Sequence, residues 1–213
     1  KRPHRQWRQR KDCFGEMIQI DGSEHDWFEG RGPECVFMGY IDDATGNPFG
    51  RFYAYEGTMP AMDSFRGYID EYGIPVSVYL DKHTTYKSTK EPSIEDQLNN
   101  VEPLSQVGRV FKELSVNVIY ADSPQAKGRV ERLFRTFQDR LIKEMRLKDI
   151  RTIESANKFL EYYLPIYGKR FGVKPVKDTN LHRPLPEGIN LDKIFCIKTK
   201  RTLRNDFTIA HNG

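Results

Sequence analysis

At 213 residues, with 38% hydrophobic and 12% aromatic side chains, the chain can bury one substantial core and carry a small appendage, which excludes a disordered protein. Its 34 Lys and Arg against 30 Asp and Glu leave a formal charge of +4, so local clusters say more about partners than the total does. Cys13, Cys35 and Cys196 stand in no CxxC or Cys/His spacing, which excludes a disulfide framework or zinc module and points to a reducing compartment. No apolar run of about eighteen residues and no signal sequence is legible.

The chain opens on a basic arm, KRPHRQWRQRK, with six Lys/Arg in eleven residues. A solvated tail and a phosphate-contacting segment are equally good readings of it, and Trp7 is a candidate anchor. With no initiating Met and a turn-like His211-Asn212-Gly213 end, the sequence reads as a fragment of something longer. Met17 to Ile20 predicts a strand ending in Asp21. A second strand is expected at 35–41 and a third at 49–55, joined by an Asp42-Asp43-Ala44-Thr45-Gly46 turn, so that the three form an antiparallel meander. Met62, Phe65, Tyr68, Ile69 and Tyr72 recur at helical spacing until Gly73-Ile74-Pro75 stops them, and VSVYL (76–80) resumes as a strand ending at Asp81.

Lys82 to Leu104 is polar, without a sustained period, and reads as a long surface insert whose tyrosine is a local packing or base-stacking residue. A short helix over 106–114 and a strand over 117–121 follow. Strand-helix-strand-helix order implies right-handed crossovers and parallel pairing, giving a mixed sheet with helices on its faces. Ser123 and Pro124 suit the start of a helix whose Val130, Leu133, Phe134, Phe137, Leu141 and Met145 make a core stripe. Glu131 lies at the margin of that stripe beside Gln138, with Arg129, Arg132, Arg140 and Lys143 expected to point away. From Lys127 to Lys148 there are eight Lys/Arg and three acids, a helix suited to lie beside a polyanion such as duplex DNA. Thr152 caps a further helix with a Pro165 kink expected. Lys174 to Gly188 reads as an extended linker, and 195–200 and 203–209 as two short strands. The expected organisation is a basic arm over 1–14, a core over 15–172, a linker over 173–190 and the start of a small β domain over 191–213.

Asp21 and Asp81 end strands and Glu131 opens a helix after a strand, so one sheet edge can gather all three. Hard cations such as magnesium take oxygen ligands, and carboxylates with open positions leave room for phosphate oxygens and water. Singly, each acid has a plainer role: a turn residue, a loop cap, or a partner for Lys127 or Arg135 at helical spacing. Asp42, Asp43 and Asp122 read as turn and cap residues, and His25 as a surface histidine.

IQIDGSEHDWF, IDDATG, VYLDK and SPQAKGRVERLFRTFQDRL resemble the DDE transposases and retroviral integrases, nearest to bacterial insertion-sequence transposases of the ISNCY group, over about Gly15 to Arg170. The resemblance implies an α/β ribonuclease H-like fold with a five-stranded mixed sheet, three antiparallel strands then two parallel. It implies Asp21, Asp81 and Glu131 as catalytic metal ligands for two magnesium ions, with manganese able to substitute, and Lys127, Arg135, His83, Arg129 and Arg132 as DNA contacts. Cleavage at transposon ends and 3′-hydroxyl strand transfer into target DNA follow from it, as do assembly as a homodimer or larger complex on DNA and a bacterial, nucleoid-associated cytoplasmic location. Two features depart from the family pattern. Lys82-His83 replaces an Asn-Gly common after the second Asp, and the separation of Asp81 from Glu131 is longer than usual, the extra length falling in the polar insert, where it costs little. A nuclease on the same fold and an inactive DNA-binding module remain the alternatives.

Overall fold

The computed structural model of the chain describes residues 9–81, 85–86, 103–121, 128–201, 203 and 205–209; Trp7, His83, Ser123, Pro124, Asp122 and Lys127 lie outside them. β1 (Cys13–Phe14) leads into β2 (Ile18–His25), β3 (Cys35–Asp42) and β4 (Pro48–Tyr53), and the last three form the antiparallel meander. β2 runs five residues beyond the apolar segment that predicted it, because Gly22, Ser23 and Glu24 pair with Met38, Phe37 and Val36 although their own side chains carry no strand signal. The β3–β4 turn uses Asp as a turn residue: Asp42 Oδ1 accepts the Thr45 backbone N–H and the Thr45 hydroxyl, both at 2.7 Å, and Gly46 adopts a φ of 74°.

α1 (Thr58–Tyr72) stops at Gly73, whose φ of 93° is open to glycine and whose N–H donates to the Ile69 carbonyl. β5 (Ser77–Leu80), α2 (Gln106–Glu113), β6 (Asn117–Tyr120) and α3 (Gly128–Leu147) complete the alternation. Ser105 caps α2 by accepting the Gly108 N–H at 3.0 Å, the usual remedy for the unpaired donors of a first turn. α4 (Ile153–Phe171) opens with the Thr152–Ser155 capping box and continues as helix through Pro165 to its end.

The main sheet has the order β4-β3-β2-β5-β6, with β2–β5 and β5–β6 parallel, as the ribonuclease H-like expectation requires. Alternation along the strands divides the core in two. Ile18, Ile20, Val36, Met38, Tyr40, Val78 and Leu80 pack with α1 and α2 on one face, while Phe37, Ile41 and Phe52 pack with α3 and α4 on the other.

The stretch read as a linker is extended and also stitched to the core. β7 (Lys177–Asn180) pairs in parallel with β1, and Ile74 and Arg183 exchange backbone hydrogen bonds of 2.9 and 2.8 Å. The strands expected at 195–200 and 203–209 are not formed among the described residues. α5 (Leu191–Ile194) is a single turn, and Ile197, Leu203, Phe207 and Ile209 beyond it are exposed: strand-forming side chains without a sheet edge to pair with do not make a strand.

His182 fastens this stretch. Its ring lies 4.6 Å from that of Phe14 and between hydrogen bonds of 2.7 Å to the Asn180 side-chain oxygen and the Tyr68 hydroxyl, which assigns the proton to Nδ1 and the acceptor role to Nε2. Burial lowers its pKa from 6.5 to about 4. The unfolded chain therefore takes up the proton first as pH falls, so the stability His182 contributes is whole above pH 6.5 and is lost as pH falls through about 4. Denaturant melts across that window should show stability falling more steeply in wild type than in His182→Gln, and parallel slopes would contradict this assignment.

Candidate functional site

β2 organises the site because its two faces have different work. Ile18 and Ile20 enter the α1 core, so Gln19, Asp21 and Ser23 face α3. Contacts agree: Gln19 Oε1 accepts the Val130 backbone N–H at 3.2 Å, and Gln138 Nε2 donates to the Ser23 hydroxyl at 3.4 Å. α3 thus runs along this polar row from Gln19 to Ser23. Between those contacts the Phe134 ring fills the space over Gly39, the residue paired with Asp21 across β2–β3, and leaves no room there for a Cβ.

Asp81 follows β5. The parallel register pairs Ile18 with Val78 and Gln19 with Tyr79, and the same offset carried two residues on brings Asp21 level with Asp81. Neighbouring strands lie roughly 4.8 Å apart. Val78 and Leu80 point into the α1 core, so alternation turns Asp81 to the same side as Asp21. Glu131 is exposed on the first turn of α3, directly after the residue tied to Gln19, and lies seven residues before Gln138, on the same helical line toward β2. The structure therefore places Asp21 within β2, Asp81 just after β5 and Glu131 on the first turn of α3, with the last β2–β5 pair, Gln19 with Tyr79, two residues before the aspartates. Among the described residues no three His, Cys, Asp or Glu side chains are close enough to hold a metal ion together. Asp21 within β2, Asp81 just after β5 and Glu131 on α3 each offer the oxygen donors that a hard divalent cation takes.

Three further residues lie beside these acids, of which the sequence singled out only the tyrosine of the insert, as a packing or base-stacking residue. Glu56, before α1, packs its carboxylate against Gly22, immediately after Asp21, where any Cβ would collide with it. Tyr86, from the polar insert, is buried in the α1 core, so packing is its role; its carbonyl accepts from Ser105 at 2.9 Å and from the Tyr120 hydroxyl at 3.2 Å. Its own hydroxyl is buried with no hydrogen-bond partner among the described residues and is pushed well above the usual phenol range, by burial first and then by Tyr40, Glu56, Asp21 and Asp81. Gln19, invisible as a polar residue in an apolar strand, is fully buried.

Of the basic candidates, Arg132 and Arg135 are exposed on α3, and Arg135 lines a shallow hollow of about 390 Å³ with Thr136, Asp139, Arg140 and Phe171. Lys127 and His83 lie outside the described residues. Arg129 corrects the sequence reading: it does not point away from the core but pairs with Asp43 at 3.0 Å, its side chain 10% exposed and that of Asp43 0%. The first turn of α3 overhangs the β3–β4 turn, so a position one residue off the apolar stripe meets protein instead of solvent. Asp42 and Asp43 are structural, as their turn position implied; burial raises the Asp42 carboxyl above the ordinary range, opposed by N–H donors from Thr45 and Gly15.

Among known proteins, the chain is 40% identical over 99% of its length to y4bF of Sinorhizobium fredii, provisionally named a transposase. It is 36% identical over 86% of its length to the transposase for insertion sequence IS1202 of Streptococcus pneumoniae. It spans 45% of the first and 39% of the second. No family model matches the sequence. Among solved structures it is similar to a chain of the simian T-cell lymphotropic virus intasome, with a TM-score of 0.58 at 16% identity, covering 85% of this chain and 60% of that one. A dimeric form of the HTLV-2 integrase catalytic core domain with magnesium gives a TM-score of 0.51 at 13% identity, covering 78% and 94%. These structural likenesses establish the fold: it is the ribonuclease H-like fold of integrase cores. In sequence, the likeness over nearly the whole chain is to transposases.

The close seating of Phe134 on Gly39 makes Gly39→Ala an overpacking change between α3 and the strand pair carrying Asp21. It should destabilise the protein by about 1–3 kcal/mol in denaturant unfolding. Part of that loss should return in the double variant Gly39→Ala with Phe134→Leu; strictly additive losses would contradict the packing described.

Proposed function

We propose that this chain is the catalytic core of a DNA transposase in which Asp21, Asp81 and Glu131 hold magnesium ions and hydrolyse phosphodiesters at transposon ends before strand transfer. The observation that supports this most is the register of β2 and β5, Ile18 with Val78 and Gln19 with Tyr79, whose offset carried two residues on would bring Asp21 level with Asp81. Carboxylate oxygens of the kind these three acids supply are the donors that two-ion phosphoryl chemistry uses.

The residues have separate tasks. Asp21, on a strand fixed by the sheet, and Asp81, directly after one, would be the rigid ligands, and Glu131 the ligand delivered by a helix. Magnesium, when bound there, polarises the phosphoryl oxygens and eases departure of the leaving oxygen. In hydrolysis a water oxygen bonds to phosphorus, the P–O3′ bond breaks and the 3′-oxygen takes a proton. In transfer that 3′-hydroxyl oxygen bonds to a target phosphorus, displaces the target 3′-oxygen, and its proton passes to solvent. Exposed Arg132 and Arg135 on α3 would neutralise backbone phosphates beside the acids. Lys127 and His83 belong to the same proposed contact set. The full protein would act as a dimer or larger complex on paired ends.

Nicking and joining assays with full-length protein, transposon-end DNA and magnesium test the reading. Asp21→Asn, Asp81→Asn and Glu131→Gln should each lower both activities by on the order of a thousand-fold or more, the effect of several kcal/mol of lost charge stabilisation; retained activity in any of them would remove that residue from the site. A pre-cleaved end with a free 3′-hydroxyl should be joined to target, whereas a nuclease would leave it unjoined. Arg135→Ala should weaken DNA binding evenly across sequences and lower the slope of log affinity against log salt by about 1.

A further inference from the structure

Asp43 has more partners than a turn residue needs. Its Oδ1 accepts from Gln19 Nε2 at 2.9 Å and from Arg129 Nη1 at 3.0 Å, its Oδ2 accepts the Lys11 backbone N–H at 2.9 Å, and its carbonyl accepts from Arg10 Nη1 at 3.0 Å. Asp43 and Gln19 are both fully buried. Gln19 in turn holds the Val130 N–H through its oxygen, so its amide is oriented at both ends: nitrogen toward Asp43, oxygen toward the helix. The two residues before Glu131 are therefore each held, Arg129 by Asp43 directly and Val130 by Asp43 through Gln19. Charge-assisted bonds to a buried carboxylate have defined direction, and a helix turn held at two successive residues keeps neither rotation nor translation along β2.

We propose that Asp43 is a positioning residue: its carboxylate sets the first turn of α3, and with it Glu131, against the β2 row that carries Asp21, and joins that turn to the chain arriving at Arg10 and Lys11. This rests on the reading of Glu131 as a metal ligand. Apolar packing reaches the first turn of α3 through Val130 alone. The polar link adds fixed directions there, at the Arg129 guanidinium and the Val130 N–H. It also gives the segment that precedes the core a direct mechanical connection to the acid on α3: displacement of Lys11 pulls on the same carboxylate that holds Arg129, while Arg10 holds the Asp43 carbonyl.

The test uses full-length protein in wild type, Asp43→Asn, the double variant Asp43→Asn with Arg129→Met, and Glu131→Gln. The double variant removes both charges, so no guanidinium is left buried without its counter-charge and the fold is kept. Two readouts are taken besides thermal stability: manganese affinity by electron paramagnetic resonance, and amide hydrogen exchange over 128–134. The expected result is a melting temperature for the double variant recovered toward wild type, exchange over 128–134 at least ten-fold faster, and manganese binding about ten-fold weaker. A double variant with wild-type exchange and wild-type manganese affinity overturns the role of Asp43. Glu131→Gln binding manganese as tightly as wild type overturns the assignment of Glu131 as ligand instead, and the exchange comparison still decides whether Asp43 sets the turn.

Discussion

The register of β2 is the constraint on which the rest of the structure depends. It is the central strand, antiparallel to β3 on one side and parallel to β5 on the other, and both pairings fix the same alternation of faces. A slip of one residue would send Ile18 and Ile20 into the polar row beneath α3 and turn Asp21 toward the α1 core. The cost of exposing those side chains and burying the polar ones is what holds Asp21 in place. Because β5 is tied to β2 by the same ladder, the orientation of Asp81 comes from the same source.

Around that strand the two faces use different means. The α1 side is closed by aliphatic and aromatic contacts, where shape tolerance is wide and position is set by volume. The α3 side mixes an aromatic cluster with a buried polar chain, Gln19–Asp43–Arg129, whose members have partners in defined directions. Buried charge pairs contribute little net stability compared with apolar packing, but they penalise any arrangement that separates them. In this molecule they stand where a helix turn must be held to a strand, between the proposed ligands and not within the body of the core.

Much of the fold was legible because its signals are local. The stripe from Val130 to Met145, the stop at Gly73 and the Thr152 cap need only neighbouring residues to be read, and each appears as the sequence implied. Asp81 follows its strand as expected, whereas Asp21, read as a strand end, lies inside β2, which runs on to His25. What was hidden depends on distant partners. Arg129 finds Asp43 86 positions away, so helical periodicity alone sent it to solvent. Gln19 disappears into an apolar strand pattern, and Tyr86 into a polar insert, although both are buried beside the acids. The tail beyond 194 carries strand-forming residues but no edge to pair with, a condition that single-residue preference cannot express.

The likeness to transposases and the integrase fold rest on sequence and structural comparison, whereas the proposed chemistry rests on three carboxylates sharing divalent cations. Crystals of the full-length protein grown with manganese and measured at the manganese absorption edge address that claim directly. The account predicts anomalous density between the carboxylates of Asp21 and Asp81, with the Glu131 carboxylate drawn to it. Ordered carboxylates without anomalous density, or density held by other residues, would contradict it.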